Sequence, residues 1–218
     1  AVRIPDHPVA LQLLRAASIP VAAPSANIST GISPTTAAHV QESFQAAAPL
    51  ILDGGSCRVG IESTVVSILG PQVTILRPGG ITREQLEAAL HEAVSLSPPA
   101  SPRELSETKD ALASPGTMAL HYAPRTPLCF RDELPESEWP AAVGLLTFRP
   151  TSSVHPNPRL KTISVLSPSG SLEEAAARLF SALRDLDKQA LDMIVVDCVP
   201  SDGIGYAIMD RLQRARHF

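Results

Sequence analysis

The chain has 218 residues, 44% of them hydrophobic and 18% charged, and its formal net charge at pH 7 is -4. This apolar content excludes a chain that is disordered throughout, and no apolar run approaches the roughly 18 residues that a membrane-spanning helix needs. The 18 basic and 22 acidic residues nearly balance, so the composition does not indicate a strongly basic surface that binds nucleic acid.

Five apolar segments in the first part of the chain predict short β-strands. They are residues 1–4, 20–23, 50–52, 63–69 and 72–76. Gly70 and Pro71 join the last two segments, which favours a hairpin. Because natural termini are more often loose and polar than apolar and β-like, we expect this chain to begin in the middle of a sheet.

Capping residues predict three helices in the same region. The first is expected after the cap Asp6, with Pro8 near its first turn and Ala10, Leu13, Leu14 and Ala17 on one face. The second is expected at residues 34–44 after the cap Ser33. The third follows a capping box that Thr82 opens.

A linker separates this region from a second pattern of strands and helices. Residues 94–126 are rich in serine, proline and alanine, a composition typical of a linker that proline makes semi-rigid. Further along, strands are predicted at residues 127–130, 143–148, 162–166 and 193–196, and helices at residues 172–186 and 204–215. The last strand is almost wholly apolar, which is typical of a parallel sheet buried on both faces. The alternation predicts a small Rossmann-like layer structure.

Three loops carry side chains that can bind phosphate or sugar groups. Ser25 and Asn27 follow a predicted buried strand, where ligands of open α/β sheets bind. Arg77 precedes two glycines and a helix N-terminus, an arrangement that favours an anion site. Ser63 and Thr64 begin a strand after a glycine-containing loop and can present their hydroxyl groups as ligands. The alternative at each place is an ordinary turn with surface side chains.

The cysteines and histidines give little support to covalent or metal chemistry. Cys57, Cys129 and Cys198 lie far apart and match neither a disulfide framework nor a zinc site, which favours a reducing, cytoplasmic compartment. Cys57 follows Gly-Gly-Ser, but no histidine lies in that stretch to act as its base. The histidines show no metal-ligand spacing. His121 and Tyr122, flanked by prolines, either cover a site as a lid or pack onto the second α/β region.

These motifs together resemble a known family. They lie at residues 3–8, 24–29, 62–65, 76–79, 114–116, 121–124, 203–205 and 207–212. Their order and spacing are similar to those of threonylcarbamoyl-AMP synthases of the two-domain type. The resemblance implies an α/β fold: the C-terminal half of a YrdC-like open twisted sheet, then a small Rossmann-like domain with a parallel sheet. The implied boundaries are 1–93 for the partial YrdC-like domain, 94–126 for a linker or lid, and 127–218 for the second domain.

The resemblance also implies a reaction and its ligands. Members of the family make L-threonylcarbamoyladenylate and pyrophosphate from L-threonine, bicarbonate and ATP, with Mg²⁺ accompanying the ATP. The implied ATP or adenylate ligands are Ser25, Asn27, Ser33, Arg77, Ser114 and Tyr122. The implied threonine ligands are Arg3, Ala23 and Ser63, and the implied lid residues are His121 and Tyr122. No covalent, acid–base or metal-ligating residue is implied, because the reaction needs positioning and charge stabilisation.

Partners and alternatives follow from the same resemblance. The product feeds a downstream transferase that modifies tRNA, and the fold is associated with binding of double-stranded RNA or tRNA, although the net charge does not support it here. No membrane partner is implied. Because the first half of the YrdC-like domain is missing from the sequence, we expect this chain by itself to lack full activity. The alternatives are a non-catalytic module that binds nucleotide or tRNA, and a YrdC-like carbamoyltransferase; the linker and second domain argue against the latter.

Overall fold

The computed structural model describes residues 2–97, 121–150 and 157–216. Within these ranges the α-helices are α1 (Pro8–Ala17), α2 (Ala37–Phe44), α3 (Arg83–Leu90), α4 (Leu172–Asp187) and α5 (Gly205–Ala215). The β-strands are β1 (Val65–Ser67), β2 (Thr74–Arg77), β3 (Ser95–Leu96), β4 (Leu128–Phe130), β5 (Val143–Thr147), β6 (Leu160–Val165) and β7 (Met193–Val196). Short 3-10 helices lie at Gln45–Ala47 and Glu136–Glu138. No helix in the described ranges is both long and apolar enough to cross a membrane.

The strands form two separate sheets. In the first, the order is β1-β2-β3, with β1 antiparallel to β2 and β2 parallel to β3. The second has the order β4-β7-β5-β6 and all of its neighbouring pairs are parallel. The expected α/β class, the hairpin of β1 and β2, and the parallel sheet are therefore confirmed.

Strands β4, β5 and β7 of the parallel sheet are buried on both faces, as their apolar sequences predict, whereas the edge strand β6 is partly exposed. Helices α4 and α5 contribute to the core on one face, and a smaller cluster that includes Trp139 covers the other. The stripe that α4 buries consists of Ala175, Ala176, Leu179, Phe180, Ala182, Leu183 and Leu186. Burying each large apolar side chain contributes about 1.5–3 kcal/mol, so truncation of a leucine in this stripe would cost about 2–5 kcal/mol. The cap of α4 is Ser171, whose side chain accepts a hydrogen bond from the amide of Glu174.

Three strands predicted in the first part of the chain do not form, so those predictions were wrong. The described residues of the first segment, together with segments 20–23 and 50–52, have no strand partner among the described residues. Their apolar side chains are exposed, at 97% for Val2, 51% for Val21 and 93% for Leu50. An apolar, β-like sequence becomes a strand only when a neighbouring strand accepts its hydrogen bonds, and the local pattern cannot supply that neighbour.

Two predicted helix caps were also wrong. Asp6 forms an ion pair with Arg58 at 2.9 Å, and in the described part of the chain no side chain caps α1, which begins at a proline that needs no hydrogen-bond partner. Ser33 donates to Glu62 at 2.6 Å instead of capping α2, which is capped by Thr36. The capping box predicted for α3 is confirmed, with both of its reciprocal hydrogen bonds present.

The predicted linker begins inside the first sheet. Its residues Ser95–Leu96 are strand β3, which pairs in parallel with β2. Residues 98–120 lie outside the described residues, and with them the predicted ligand Ser114. The far end of the linker, from residue 121 onward, is described. It contacts both the first region of the chain, residues 1–93, and the second region, residues 127–218.

Candidate functional site

Charged and polar side chains from both regions meet beside α5 in a buried cluster, which we define as Ser33, Glu62, Arg77, Tyr122 and Arg211. Ser33 Oγ donates to one oxygen of the Glu62 carboxylate at 2.6 Å, and Arg211 Nε donates to the other at 2.8 Å. The guanidinium carbon of Arg211 lies 5.1 Å from the centroid of the Tyr122 ring. Arg77 is 9% exposed and Tyr122 is 1% exposed, so both side chains are withdrawn from water.

Backbone close to the cluster is brought together by the hairpin and by one glycine. β1 pairs with β2 so that Val65 lies opposite Arg77. Arg77 Nη2 donates to the carbonyl of Ser63 at 2.9 Å across this pairing. A Cβ on Gly79 would lie 2.2 Å from the carbonyl oxygen of Glu62, so glycine is required for the two loops to approach this closely. The sequence therefore places the Arg77 and Ser63 loops in direct contact.

The first region lies directly against α4. Gly60 has a φ of +80°, and a Cβ there would lie 2.4 Å from the carbonyl oxygen of Ala176 on that helix. From the same helix, Arg184 donates to the carbonyls of Ile32 and Ser33. The loop that carries Ser33 is therefore held by a side chain from the second region of the chain.

The end of the linker lies between the two regions. The amide of Ala123 donates to the carbonyl of Thr30 at 2.9 Å, and the amide of His121 donates to the carbonyl of Arg214 at 3.0 Å. Tyr122 between them has a φ of +64° and stacks on Phe180, with 5.4 Å between ring centroids. Of the two predictions for this segment, packing against the second region is therefore confirmed, and a role over a ligand stays a prediction.

Three buried polar atoms near this segment have no hydrogen-bond partner among the described residues. They are Asn27 Oδ1, His121 Nδ1 and Tyr122 Oη. The loop of Asn27 adjoins the linker end, because its amide group donates to the carbonyl of Gly31, which forms a β-bridge with Ala123. A buried polar group left unpaired costs about 1–3 kcal/mol, and such groups are uncommon in folded proteins. The rings of His121 and Tyr122 have their centroids 4.0 Å apart, so this end of the linker is a candidate place for a polar ligand.

The electrostatics of the site follow from burial and from two arginines. Burial opposes ionisation of Glu62, but the charge of Arg211 and the hydrogen bond from Ser33 outweigh it, so the pKa of Glu62 is lowered. Burial raises the pKa of Tyr122 and lowers that of His121, which keeps both side chains neutral at pH 7. The positive charge of Arg77 adds to the lowering of the pKa of His121 and opposes the rise in the pKa of Tyr122.

The structure brings some of the predicted site residues together and leaves others apart. Ser33, Arg77 and Tyr122 belong to the buried cluster, and Ser63 joins it through its carbonyl. Asn27 adjoins it through the linker end. No hydrogen bond or ion pair between described residues joins the remaining predicted ligands to the cluster; these are the exposed residues Arg3, Ala23 and Ser25.

Two residues of the buried cluster, Glu62 and Arg211, are not among the site residues predicted from the sequence. Both lie within motifs that carry the family resemblance, at residues 62–65 and 207–212, but neither pattern assigns them a role. The signal for Arg211 was its place on the apolar stripe of α5, three residues after Ile208 and four before Ala215. An arginine on a buried stripe is seldom tolerated unless a partner compensates it.

The described residues do not provide a metal site of their own. None of the residues in the described ranges form a group of three or more histidine, cysteine, aspartate or glutamate side chains that could hold a metal ion. Burial raises the pKa of the Cys57 thiol, which is the opposite of the change that activates a cysteine nucleophile.

Comparisons with known proteins cover nearly the whole chain. The family model described as threonylcarbamoyl-AMP synthase, C-terminal domain, matches residues 81–216, and the model described as telomere recombination matches residues 1–79. A curated relative from Bacillus subtilis, named threonylcarbamoyl-AMP synthase, is 38% identical over 224 residues. That alignment includes 99% of this chain and 62% of the relative, so the chain spans less than two thirds of the relative's length.

Two solved structures are similar to this chain. The Sua5 protein of Pyrococcus abyssi complexed with L-threonine has a TM-score of 0.79 and 32% sequence identity, covering 98% of this chain and 62% of that one. A variant of the same protein, with a consecutive histidine and tyrosine replaced by alanine, has a TM-score of 0.78 and 31% identity. That match covers 98% of this chain and 61% of the variant's chain.

Proposed function

The chain belongs to the threonylcarbamoyl-AMP synthase family, and on that premise we propose that its protein makes L-threonylcarbamoyladenylate from L-threonine, bicarbonate and ATP. The observation that carries the proposal is the buried His121–Tyr122 segment, in which His121 Nδ1 and Tyr122 Oη have no hydrogen-bond partner among the described residues. The sequence contains one His-Tyr pair, and a consecutive histidine and tyrosine are the residues replaced in the Pyrococcus abyssi variant. The threonine named in the other Pyrococcus abyssi structure supports L-threonine as a substrate.

The chemistry suits the residue types in the buried cluster. The amine of L-threonine combines with bicarbonate to give a carbamate and water. A carbamate oxygen then attacks the α-phosphorus of ATP, the bond to the bridging oxygen breaks, and pyrophosphate leaves. Arg77 supplies a fixed positive charge and hydrogen-bond donors for the developing negative charge. The enzyme needs no nucleophile of its own, because the substrate carbamate fills that role.

We assign the substrate contacts as the family resemblance implies. Ser25, Asn27, Ser33, Arg77 and Tyr122 contact the nucleotide, together with Ser114 outside the described residues. Arg3, Ala23 and Ser63 contact threonine. The hydrogen bond from Arg77 to the Ser63 carbonyl supports this division, because it joins a nucleotide residue to a threonine residue. Mg²⁺ accompanies the phosphates, and its role is to neutralise their charge.

The biological setting is also part of the proposal. We place the protein in the cytoplasm, where its three free cysteines stay reduced, and we assign its product to a transferase that modifies tRNA. Direct binding of double-stranded RNA or tRNA by this chain is a weaker part of the proposal, because the net charge is -4.

The test uses the natural gene product, purified from its own cell through a C-terminal tag, so that the polypeptide is assayed as it exists. We expect threonylcarbamoyl-AMP, identified by mass spectrometry, and an equal amount of pyrophosphate, both dependent on L-threonine and bicarbonate. Arg77→Met should abolish product formation. The matched control is Arg83→Met, because Arg83 is half-exposed and forms an ion pair with Glu87 on its own helix.

Each competing function has its own outcome. Binding of ATP and L-threonine without product would favour a non-catalytic module. Pyrophosphate release that requires carbamoyl phosphate, and not L-threonine, would favour a carbamoyltransferase. Either result contradicts the proposed reaction.

A further inference from the structure

One side chain from α5 contacts three separate segments of the candidate site. The side chain of Arg211 is 0% exposed, and its Nε donates to Glu62 at 2.8 Å. Its Nη2 donates to the carbonyl of Pro78 at 2.8 Å. Glu62 immediately precedes Ser63, and Pro78 immediately follows Arg77, so Arg211 holds the residues next to two predicted ligands.

The third segment is the end of the linker. The guanidinium of Arg211 lies over the ring of Tyr122, which also stacks on Phe180 of α4. Tyr122 is therefore held by two side chains of the second region while its hydroxyl has no partner among the described residues. The position of that hydroxyl depends on where Arg211 places the ring.

The contacts extend from Arg211 to Ser33. One oxygen of Glu62 accepts from Arg211, and the other accepts from Ser33. Rotation of the carboxylate would release both hydrogen bonds together. Asp210 also contacts Arg211, so two carboxylates compensate the buried guanidinium. The planar guanidinium of Arg211 donates to these partners in fixed directions. A lysine ammonium is a point charge and does not impose those directions.

We propose that Arg211 is a positioning residue of the synthase site, through which α5 fixes the Glu62–Ser33 pair, the Arg77–Pro78 turn and the ring of Tyr122 for the reaction. This proposal rests on the proposed function. It gives the second region of the chain a direct part in the reaction, because the site is incomplete when α5 is absent or displaced. Arg211 itself does not need to touch a substrate.

The first test does not depend on activity and uses nitration of tyrosines by tetranitromethane. The chain has two tyrosines, and Tyr206 is 38% exposed, so it serves as an internal reference for the buried Tyr122. The variants are Arg211→Lys and Arg211→Met. The matched control is Arg131→Met, because Arg131 is partly buried in ion pairs with Glu136 and Asp197 in the second region alone.

We expect nitration of Tyr206 alone in the unmodified protein and in the control. In both Arg211 variants, Tyr122 should also be nitrated while circular dichroism reports a folded protein. Should Arg211→Met fail to fold, Arg211→Lys provides the comparison, because it keeps the positive charge beside Glu62. Protection of Tyr122 in a folded Arg211 variant would overturn the proposal.

The second test separates positioning from stability by kinetics of the natural gene product. We expect Arg211→Lys to lower kcat about 100-fold with little change in KM, the size of loss that a small misplacement of reacting groups produces. Arg131→Met should leave kcat unchanged. If Arg211 were only structural, the folded fraction of Arg211→Lys would keep full kcat, and that result would refute the proposal. An unmodified protein without synthase activity would refute the proposed function instead, and the nitration result would still decide whether Arg211 positions Tyr122.

Discussion

Arg184 of α4 donates a hydrogen bond of 2.6 Å to the carbonyl of Ile32, although the two residues are 152 positions apart in the sequence. The same guanidinium also contacts the carbonyl of Ser33 and the hydroxyl of Ser43. Carbonyl groups in a loop have no ladder or helix to pair with, so this arginine fills a need that local structure leaves open. The loop that leads into the buried cluster is therefore shaped by a helix of the second region.

Removing this arginine should weaken the contact between the two regions. Arg184→Met keeps most of the apolar stem and deletes the donors, so we expect a loss of about 1.5–3 kcal/mol in the free energy of unfolding. Urea denaturation followed by circular dichroism measures the loss. The control is Arg178→Met on the same helix, where the ion pair with Glu174 is half-exposed and worth less than about 0.5 kcal/mol. Equal losses in the two variants would contradict the role of Arg184.

Gly60 should be far more sensitive to alanine than Gly170. Both have a φ of +80°, so both variants carry the backbone strain of about 1–2 kcal/mol. The Cβ at position 60 also meets helix backbone at 2.4 Å, whereas nothing lies within 4 Å of the Cβ at position 170. We therefore expect Gly60→Ala to cost a further 1–3 kcal/mol, roughly the usual penalty for overpacking. Denaturation midpoints of the two variants measure the difference, and a difference near zero would count against the close approach to α4.

Replacing Tyr122 with phenylalanine should separate the effect of its hydroxyl on stability from its effect on product formation. The hydroxyl is buried and has no partner among the described residues, so Tyr122→Phe should leave the free energy of unfolding unchanged or slightly raised. Tyr122→Ala removes the stacked ring and should cost about 3–5 kcal/mol. If the hydroxyl contacts the adenylate, Tyr122→Phe should lower product formation by the natural gene product without destabilising it. Full activity in the phenylalanine variant would rule out that contact.

Stability should fall in acid, in part because of Glu62. Its pKa is lower in the folded chain than the value of 4.5 expected for an unperturbed glutamate. Between those two values the unfolded chain binds more protons, so the contribution of Glu62 is fully present above about pH 4.5 and is lost as the pH falls through the folded pKa. A carboxyl carbon NMR titration of Glu62 in the folded protein measures the shift directly.

Variants give a second check on the same titration. Glu62→Gln should flatten the dependence of the free energy of unfolding on pH below about pH 4.5, because the titrating carboxylate is gone. Glu84→Gln is the control, since that carboxylate is exposed on the first turn of α3. An unchanged slope in Glu62→Gln would show that other carboxylates account for the acid sensitivity.

The second region could be predicted well because its pattern is local. Strands β4, β5 and β7 of the parallel sheet are mostly apolar runs, and their partner strands lie within the same region, as β5 and its neighbours show. The stripe of α4 can be read from spacing alone. By contrast, the segment around Val21 has the residues of a strand but no partner among the described residues, and pairing is a property that a single segment does not contain.

The candidate site also contains residues that could be predicted from the sequence and residues that could not. Ser33, Arg77 and Tyr122 could be predicted as site residues because the sequence resembles a known family. Arg211 could not be selected, because its partner Glu62 lies 149 positions away and the terminal arginines of α5 also suit the helix dipole. Its position on an apolar stripe was the one local signal of burial.

The hydrogen bonds on either side of Tyr122 restrict how a ligand beneath it could leave. The His121 amide is bonded to the carbonyl of Arg214 on α5, and the Ala123 amide to the carbonyl of Thr30 in the other region. Moving Tyr122 aside therefore breaks bonds to both regions and cannot be achieved by rotation of its side chain alone. If a ligand binds beneath Tyr122, we expect its release past this residue to need local opening of the segment, on a scale of about microseconds or longer, and not only the picosecond to nanosecond flips of a free ring.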